Sequence, residues 1–255
     1  MTGIYFSGTG NTKFCMERLI QEIGGEGPCS IEDRTALDAV RRSREIAVGY
    51  PVQYSNIPKI LRDNILDHRD IWAGKRVFVL ATMGLFSGDG AGILARLLER
   101  QGASIIGGLH LKMPDSICDV KLLKRTDEKD RILAAEAAEK VRKAAAQIRS
   151  GSPPREGLGP LAHLAGLLGQ RLYFSQRTQR YTDRLKIDAG RCVGCGLCER
   201  ACPMHNISMQ SGKAAAGDRC TMCYRCANLC PRQAVTLLGR RVIKQNRALD
   251  SRQTV

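Results

Sequence analysis

The sequence has little acidic charge, few aromatic residues and no long apolar run. Its 255 residues include 25 Asp and Glu against 40 Lys and Arg, and aromatic residues make up 5%. No stretch reaches the ~18 apolar residues that a membrane-spanning helix needs. The first residues, MTGIYFSGTGNT, lack the basic start and apolar core of a signal peptide. We therefore expect a cytoplasmic protein without a transmembrane segment.

Cysteine is scarce over most of the chain. Of 11 cysteines, only Cys15, Cys29 and Cys118 lie outside residues 192–230. A disulfide framework would spread its cysteines along a secreted chain, so we expect these three to be small buried residues. The other eight form the pattern C-x2-C-x2-C-x3-C-P twice, with corresponding positions 28 residues apart. They are Cys192, Cys195, Cys198, Cys202, Cys220, Cys223, Cys226 and Cys230.

The spacing of these cysteines favours iron–sulfur clusters over zinc. Structural zinc sites use two C-x2-C pairs separated by a longer loop. Three cysteines at steps of three suit a cubane, which takes three thiolates from one short loop and a fourth from elsewhere. The pattern resembles the bacterial two-[4Fe-4S] ferredoxins over roughly residues 187–240. In those proteins the fourth cysteine of each run serves the other cluster.

The resemblance therefore implies two crossed ligand sets. Cluster 1 would be held by Cys192, Cys195, Cys198 and Cys230. Cluster 2 would be held by Cys220, Cys223, Cys226 and Cys202. Such ferredoxins are commonly acidic, whereas here arginines stand beside the ligands, at Arg191, Arg200, Arg219 and Arg225. We expect this positive charge to raise the reduction potentials of the clusters.

The first part of the chain alternates strand and helix patterns. Apolar runs predict strands near the N-terminus and at 45–50, 76–83 and 103–113, with a weaker strand within 27–33. Helical patterns follow the N-terminal strand and the strands at 45–50 and 76–83, and a long helix is predicted over 127–149. This order predicts an α/β, doubly wound, five-stranded parallel sheet.

The composition divides the chain into four parts. We expect a doubly wound α/β domain over 1–150, a linker with a short apolar helix over 151–186, a small α+β ferredoxin domain over 187–240, and a basic C-terminal tail over 241–255. Gly and Pro mark the linker at 150–160. The apolar helix at 161–174 is too short to span a membrane, so packing between the domains is favoured over contact with a membrane surface.

One loop follows the first strand and opens the first helix. Its residues are Ser7, Gly8, Thr9, Gly10, Asn11 and Thr12. It is neither a Walker A motif nor G-x-G-x-x-G, and a plain glycine turn with a helix cap is the alternative. Backbone N–H groups and the positive end of the helix dipole would make it a phosphate cradle. The loop resembles the one that binds the FMN phosphate in flavodoxins.

The resemblance implies that two further loops at the same end of the sheet hold the flavin ring. Pro51, Val52, Gln53 and Tyr54 follow the third strand. Thr82, Met83, Gly84 and Phe86 follow the fourth. Tyr54 is expected to stack on one face of the ring, and Phe86, Leu85 or Met83 on the other.

The order of the two parts resembles a family of flavodoxin–ferredoxin fusion proteins, mostly from anaerobes. The resemblance implies electron transfer between FMN and two [4Fe-4S] clusters, linking two-electron and one-electron redox partners. The alternative is an FMN-dependent reductase of a small molecule, with the clusters as a relay. No catalytic triad, carboxylate pair or nicotinamide motif is present, so no catalytic residue is predicted.

The net charge of +15 suggests an acidic partner. Nucleic-acid binding is the other explanation, but aromatic residues are few and no nucleic-acid-binding motif occurs. We therefore expect an acidic redox protein as the partner.

Overall fold

A computed structural model describes residues 1–53, 56–85, 89–123, 126–160 and 184–246. The first domain is a parallel sheet in the order β2-β1-β3-β4-β5. Its strands are β1 (Thr2–Tyr5), β2 (Glu26–Ser30), β3 (Glu45–Pro51), β4 (Arg76–Met83) and β5 (Ser104–Lys112). Its helices are α1 (Asn11–Ile23), α2 (Thr35–Arg42), α3 (Lys59–Asp67), α4 (Gly90–Glu99) and α5 (Asp127–Arg149). This strand order is that of the flavodoxin-like doubly wound fold and confirms the predicted fold class.

Helices cover both faces of the sheet, which explains the continuous apolar runs in the sequence. All residues of β4 after Arg76 are buried. One apolar cluster joins the sheet to α3 and α4, and a second joins it to α1 and α5. Short 3-10 turns occupy Arg69–Trp72 and Lys121–Leu123. Trp72 is 1% exposed and packs in the first cluster, so its role is structural.

The second domain is small, and its two halves share a pattern of backbone conformation. Two antiparallel pairs form, β6 (Lys186–Ile187) with β9 (Val235–Thr236) and β7 (Ile207–Gln210) with β8 (Lys213–Ala216). The short helices are α6 (Leu197–Arg200) and α7 (Arg225–Leu229). Positive φ angles recur at a spacing of 28 residues, in the pairs Gly194 and Met222, Gly196 and Tyr224, and His205 and Gln233. The sequence repeat is therefore also a repeat of conformation.

The two domains interlock. Asp119, in the loop after β5, is 4% exposed and accepts hydrogen bonds from the Leu237 and Leu238 amides at 2.7 and 3.0 Å. Tyr224 Oη donates to the same carboxylate at 2.9 Å. Cys118 packs in the core of the second domain, and Cys223 packs in the core of the first. Each domain thus completes the core of the other.

Parts of the predicted linker and of the predicted C-terminal tail contact the first domain. Pro154 and Glu156, in the predicted linker, exchange backbone hydrogen bonds with Gly108 of β5. In the predicted basic tail, Lys244 forms ion pairs with Asp127 and Asp130 at 2.6 and 3.1 Å. The apolar segment 161–174 and residues 247–255 lie outside the described residues. In the described parts of the chain, no helix has the length and apolarity that crossing a membrane requires.

Candidate functional site

A cleft of about 260 Å³ opens at the carboxyl ends of the central strands. Four strands of the sheet lead into it, and parallel sheets bind ligands at this edge. The second domain supplies one wall, through the segment Met222–Tyr224. The loop after β5 supplies another, including Asp115 and Ser116.

Most of the predicted flavin-site residues that the structure describes line this cleft. They are Ser7, Gly8, Thr9, Asn11, Thr12, Pro51, Val52, Gln53, Thr82, Met83 and Gly84. Gly10 does not line it. Gly10 instead makes the turn into α1, with φ 99°, which a side chain would strain. Tyr54 and Phe86 lie outside the described residues, so their ring contacts stay predictions.

The hydroxyl groups of the loop Ser7–Thr12 hold the loop in place. Ser7 Oγ accepts a hydrogen bond from the Gly10 amide at 3.1 Å. Thr9 Oγ1 and Ser116 Oγ are 2.7 Å apart. Thr12 Oγ1 lies 2.8 Å from Thr82 Oγ1, and Thr12 is 1% exposed. The Thr12 hydroxyl therefore joins α1 to β4.

The loop amides remain available to an anion. Among the described residues, nothing accepts a hydrogen bond from the backbone N–H groups of Gly8, Thr9, Asn11 or Thr12. Two of these residues begin α1, where the helix dipole is positive. Unpaired N–H groups at a helix N-terminus that line a cleft fit a phosphate group.

Arg225 of the second domain fixes the orientation of this loop. Its guanidinium donates to the carbonyl oxygen of Ser7 at 2.8 Å and to that of Gly8 at 3.3 Å. In a trans peptide the N–H points opposite to the C=O. The amides of Gly8 and Thr9 therefore point away from Arg225, which is not among the residues lining the cleft.

The charge of Arg225 is balanced by a carboxylate of the first domain. It forms a bidentate ion pair with Glu32, at 2.7 Å for both oxygens, and only 22% of its side chain is exposed. The pKa of Arg225 is raised, chiefly by its hydrogen bond to Glu32. Sequence could not reveal this pair because its members lie 193 residues apart.

The eight repeat cysteines separate into two groups around two small cavities. Cys192, Cys195, Cys198 and Cys230 line one. Cys202, Cys220, Cys223 and Cys226 line the other. The groups correspond to the two crossed ligand sets. In the described part of the chain, no three His, Cys, Asp or Glu side chains are placed to hold a single metal ion.

The two cysteine groups differ in burial. In the first group Cys195 is exposed, whereas in the second Cys220, Cys223 and Cys226 are all buried. Burial raises the pKa of the Cys223 thiol to about 12 and that of Cys226 well above its usual value. Metal ions stabilise thiolates, so loading the second group would release protons.

Backbone amides approach the sulfur atoms at equivalent points of the repeat. The Asn206 and Ala234 amides donate to Cys202 Sγ and Cys230 Sγ, each at 3.3 Å. The pKa of Cys192 is lowered mainly by a hydrogen bond from the Ala214 amide and further by one from the Gly194 amide. Such N–H···S bonds tune cluster potentials.

Sequence reasoning missed part of the cleft. The residues after β5 could have been found, because every strand of a parallel sheet delivers its next loop to the same edge. They include Met113, Pro114, Asp115 and Ser116. The wall from Met222–Tyr224 left no local sign in the sequence. Its contact with the first domain is nevertheless close, because a Cβ atom built on Gly8 would clash with the Cys223 carbonyl oxygen.

Residues 191–234 match the family described as a 4Fe-4S dicluster domain. No curated protein matches the chain. The sheet order and this match confirm the prediction of a flavodoxin-like domain followed by a two-[4Fe-4S] segment.

Several solved structures are distantly similar to the first domain. Two-electron reduced Megasphaera elsdenii flavodoxin is 22% identical, covering 56% of this chain and 100% of its own, with a TM-score of 0.40. A flavodoxin from the domain Archaea is 20% identical, covering 58% and 99%, with a TM-score of 0.39. Oxidised Flavodoxin 2 from Bacillus cereus is 17% identical, covering 58% and 97%, with a TM-score of 0.41.

Proposed function

We propose that this chain is an electron-transfer protein in which FMN, bound in the cleft, exchanges electrons with two [4Fe-4S] clusters. One observation carries the proposal. We call Cys202, Cys220, Cys223 and Cys226 the inner cysteine group. Cys223 and Tyr224 line both the cleft and the cavity of this group. A flavin in the cleft and a cluster on those cysteines would therefore share one wall.

The residues of the cleft suit FMN in two respects. The unpaired amides at the start of α1 would hold its phosphate without a basic side chain, as the helix dipole favours a negative charge there. The apolar residues Val52, Met83 and Met222 line the remainder of the cleft and would exclude water from the ring. FMN supplies both one-electron and two-electron chemistry when it is bound.

The burial of the cysteines supports a linear order of cofactors. Cluster 2, on Cys202, Cys220, Cys223 and Cys226, would lie between the flavin and cluster 1. Cluster 1 would lie at the surface, because Cys195 is exposed. The chain would position the three cofactors and tune them, so that pairs of electrons at the flavin are exchanged singly with the outside.

Cofactor analysis together with selective ligand loss tests this order. In Cys195→Ser, only the outer cluster should be impaired, and the flavin should still exchange electrons with cluster 2 after rapid reduction. In Cys223→Ser, exchange between the flavin and cluster 1 should fail. Equal effects of the two substitutions on flavin reduction would contradict the linear order.

A second function is favoured by the open mouth of the cleft. Leu85 lies there with 57% of its surface exposed, and Asp115 is among the lining residues. A small molecule could then be reduced directly at the flavin, with the clusters as a relay. Mixing the reduced protein with quinones, nitro compounds or free flavins tests this reductase. Multiple turnovers without a partner protein would support it, and their absence would leave electron transfer between proteins.

A further inference from the structure

The second domain carries an excess of positive charge. Residues 184–246 contain 11 Lys and Arg but only three Asp and Glu, whereas the whole chain contains 40 and 25. Two of the 11 basic residues bind carboxylates of the first domain, Arg225 with Glu32 and Lys244 with Asp127 and Asp130. Lys244, within the predicted basic tail over 241–255, is therefore paired with carboxylates of the first domain.

We call Cys192, Cys195, Cys198 and Cys230 the outer cysteine group. Three of the remaining basic side chains lie beside the loop that carries its first three cysteines, and two of them contact that loop. Arg200 Nη2 donates to the carbonyl oxygen of Cys195 at 3.2 Å. Lys213 Nζ donates to the carbonyl oxygen of Cys192. Arg191 adjoins Cys192, and its side chain is 55% exposed beside Asp188. All three residues are exposed, so their charges face the solvent around this loop.

The same loop presents apolar groups at its surface. Val193 and Leu197 are 59% and 39% exposed, and both line the cavity of the outer cysteine group. Protein interfaces commonly combine an apolar centre with a polar rim. Here the rim is cationic, and the centre covers the proposed cluster 1. We name the surface formed by Arg191, Val193, Leu197, Arg200 and Lys213 the outer-cluster face.

We propose that the outer-cluster face docks an acidic one-electron redox protein, an inference that rests on the proposed function. The charge of the face selects an acidic partner. Cys220, Cys223 and Cys226 are buried and Cys223 lines the cleft, whereas Cys195 is exposed, so the outer group is the exposed end of the series. One electron passes between cluster 1 and the redox centre of the partner. One centre is oxidised as the other is reduced, and no atom or proton is transferred.

Charge reversal on the face tests the proposal. The test variant is Arg200→Glu with Lys213→Glu. The matched control is Lys129→Glu with Arg131→Glu, which makes the same charge change at exposed positions of α5. The probe is an acidic plant-type ferredoxin, a one-electron donor, mixed in reduced form with the oxidised full-length protein. Anaerobic stopped-flow absorbance follows the rate at several salt concentrations.

We expect the test variant to lose at least about tenfold in the second-order rate at low salt, since electrostatic steering is worth 10–10³-fold. The control variant should lose much less. The difference should shrink above about 0.1 M salt, where the screening length is about 10 Å. A difference that persisted at high salt would report an altered cluster potential instead and would overturn the docking proposal. Equal rates in the two variants would overturn it as well.

Two further measurements distinguish a failure of the docking proposal from a failure of the proposed function. The neutral variant Arg200→Gln with Lys213→Gln should show a smaller loss, and it replaces the charge-reversed protein if that fails to fold. Chemical reduction of flavin and clusters without ferredoxin tests the proposed function alone. Normal reduction with unchanged docking rates would refute only the docking face. Binding to anionic phospholipid vesicles that the test variant abolishes, with an unchanged ferredoxin rate, would assign the face to a membrane surface and overturn the proposal.

Discussion

Replacing Gly8 by alanine tests how tightly the proposed flavin site depends on the second domain. A Cβ atom on Gly8 would lie less than 3.0 Å from the Cys223 carbonyl oxygen, and within 3.1 and 3.2 Å of its carbonyl carbon and Cβ. The close neighbours are backbone, so no side chain can rotate to relieve the clash. We call the loop Ser7–Thr12 the phosphate loop. Either this loop or the Cys220–Cys226 loop must move by several tenths of an ångström.

Overpacking of this kind costs about 1–3 kcal/mol. If the phosphate loop moves, flavin affinity should fall by about 5–150-fold, which is the same free energy expressed as a binding ratio. If the cluster loop moves, the melting temperature should fall by about 2–4 °C per kcal/mol for a chain of this size. Flavin fluorescence titration and thermal unfolding measure the two effects.

Gly27→Ala is the matched control. Gly27 lies in β2, and no atom lies within 4 Å of a Cβ built there. Its substitution should leave flavin affinity and melting temperature almost unchanged. If Gly8→Ala behaved like Gly27→Ala in both assays, the close contact between loop and cluster segment would be refuted.

Two substitutions test other contacts of the site and sheet. Arg225→Gln should lower the melting temperature by about 4–8 °C, for about 2 kcal/mol from a partly buried charge pair, and should weaken flavin binding. Glu32→Gln should affect flavin binding less, since Arg225 is the member of the pair that donates hydrogen bonds to the loop Ser7–Thr12. Equal effects of the two substitutions on flavin binding would contradict this role of Arg225. His110 Nε2 accepts a hydrogen bond from the Ala91 amide at 2.9 Å, and burial lowers the pKa of His110. Its contribution to stability is complete above the unfolded pKa of about 6.5 and is lost as the pH falls toward the folded pKa. The melting temperature should therefore fall more between pH 7.5 and 5.5 in the native protein than in His110→Gln, and parallel profiles would refute this.

The sheet could be predicted because its signals are local. The apolar run of β4 and the long amphipathic α5 were recognisable from composition alone, and both have nearly the predicted bounds. Helix α2 was missed because it is short and polar, with only Ala36 and Val40 buried. A two-turn helix with two apolar contacts gives little periodicity to detect.

The repeat predicted more than the cysteine groups. Glycines at 194 and 196 in the first half correspond to Met222 and Tyr224 in the second, and all four have positive φ. Non-glycine residues in this region cost about 1–2 kcal/mol each. Both Met222 and Tyr224 line the cleft, so the departure from glycine occurs where the two domains meet. The sequence displays the departure, but only the fold reveals that these two side chains face the other domain.

The site was predictable where it follows the strand ends and not where distant segments meet. Loops after β1, β3 and β4 could be placed together by the rule for parallel sheets. The contacts of Arg225 with Ser7, Gly8 and Glu32 join segments about 190 to 220 residues apart, and no periodicity encodes them. The domain interface therefore had to be seen in three dimensions.

Flavin and iron analysis of the anaerobically purified chain, followed by stepwise reductive titration, tests the central claim most directly. The account predicts one FMN and two [4Fe-4S] clusters per chain, and it predicts that both kinds of cofactor are reduced within the same molecule. A chain that binds clusters but no flavin, or that holds mononuclear metal at the cysteines, would contradict it.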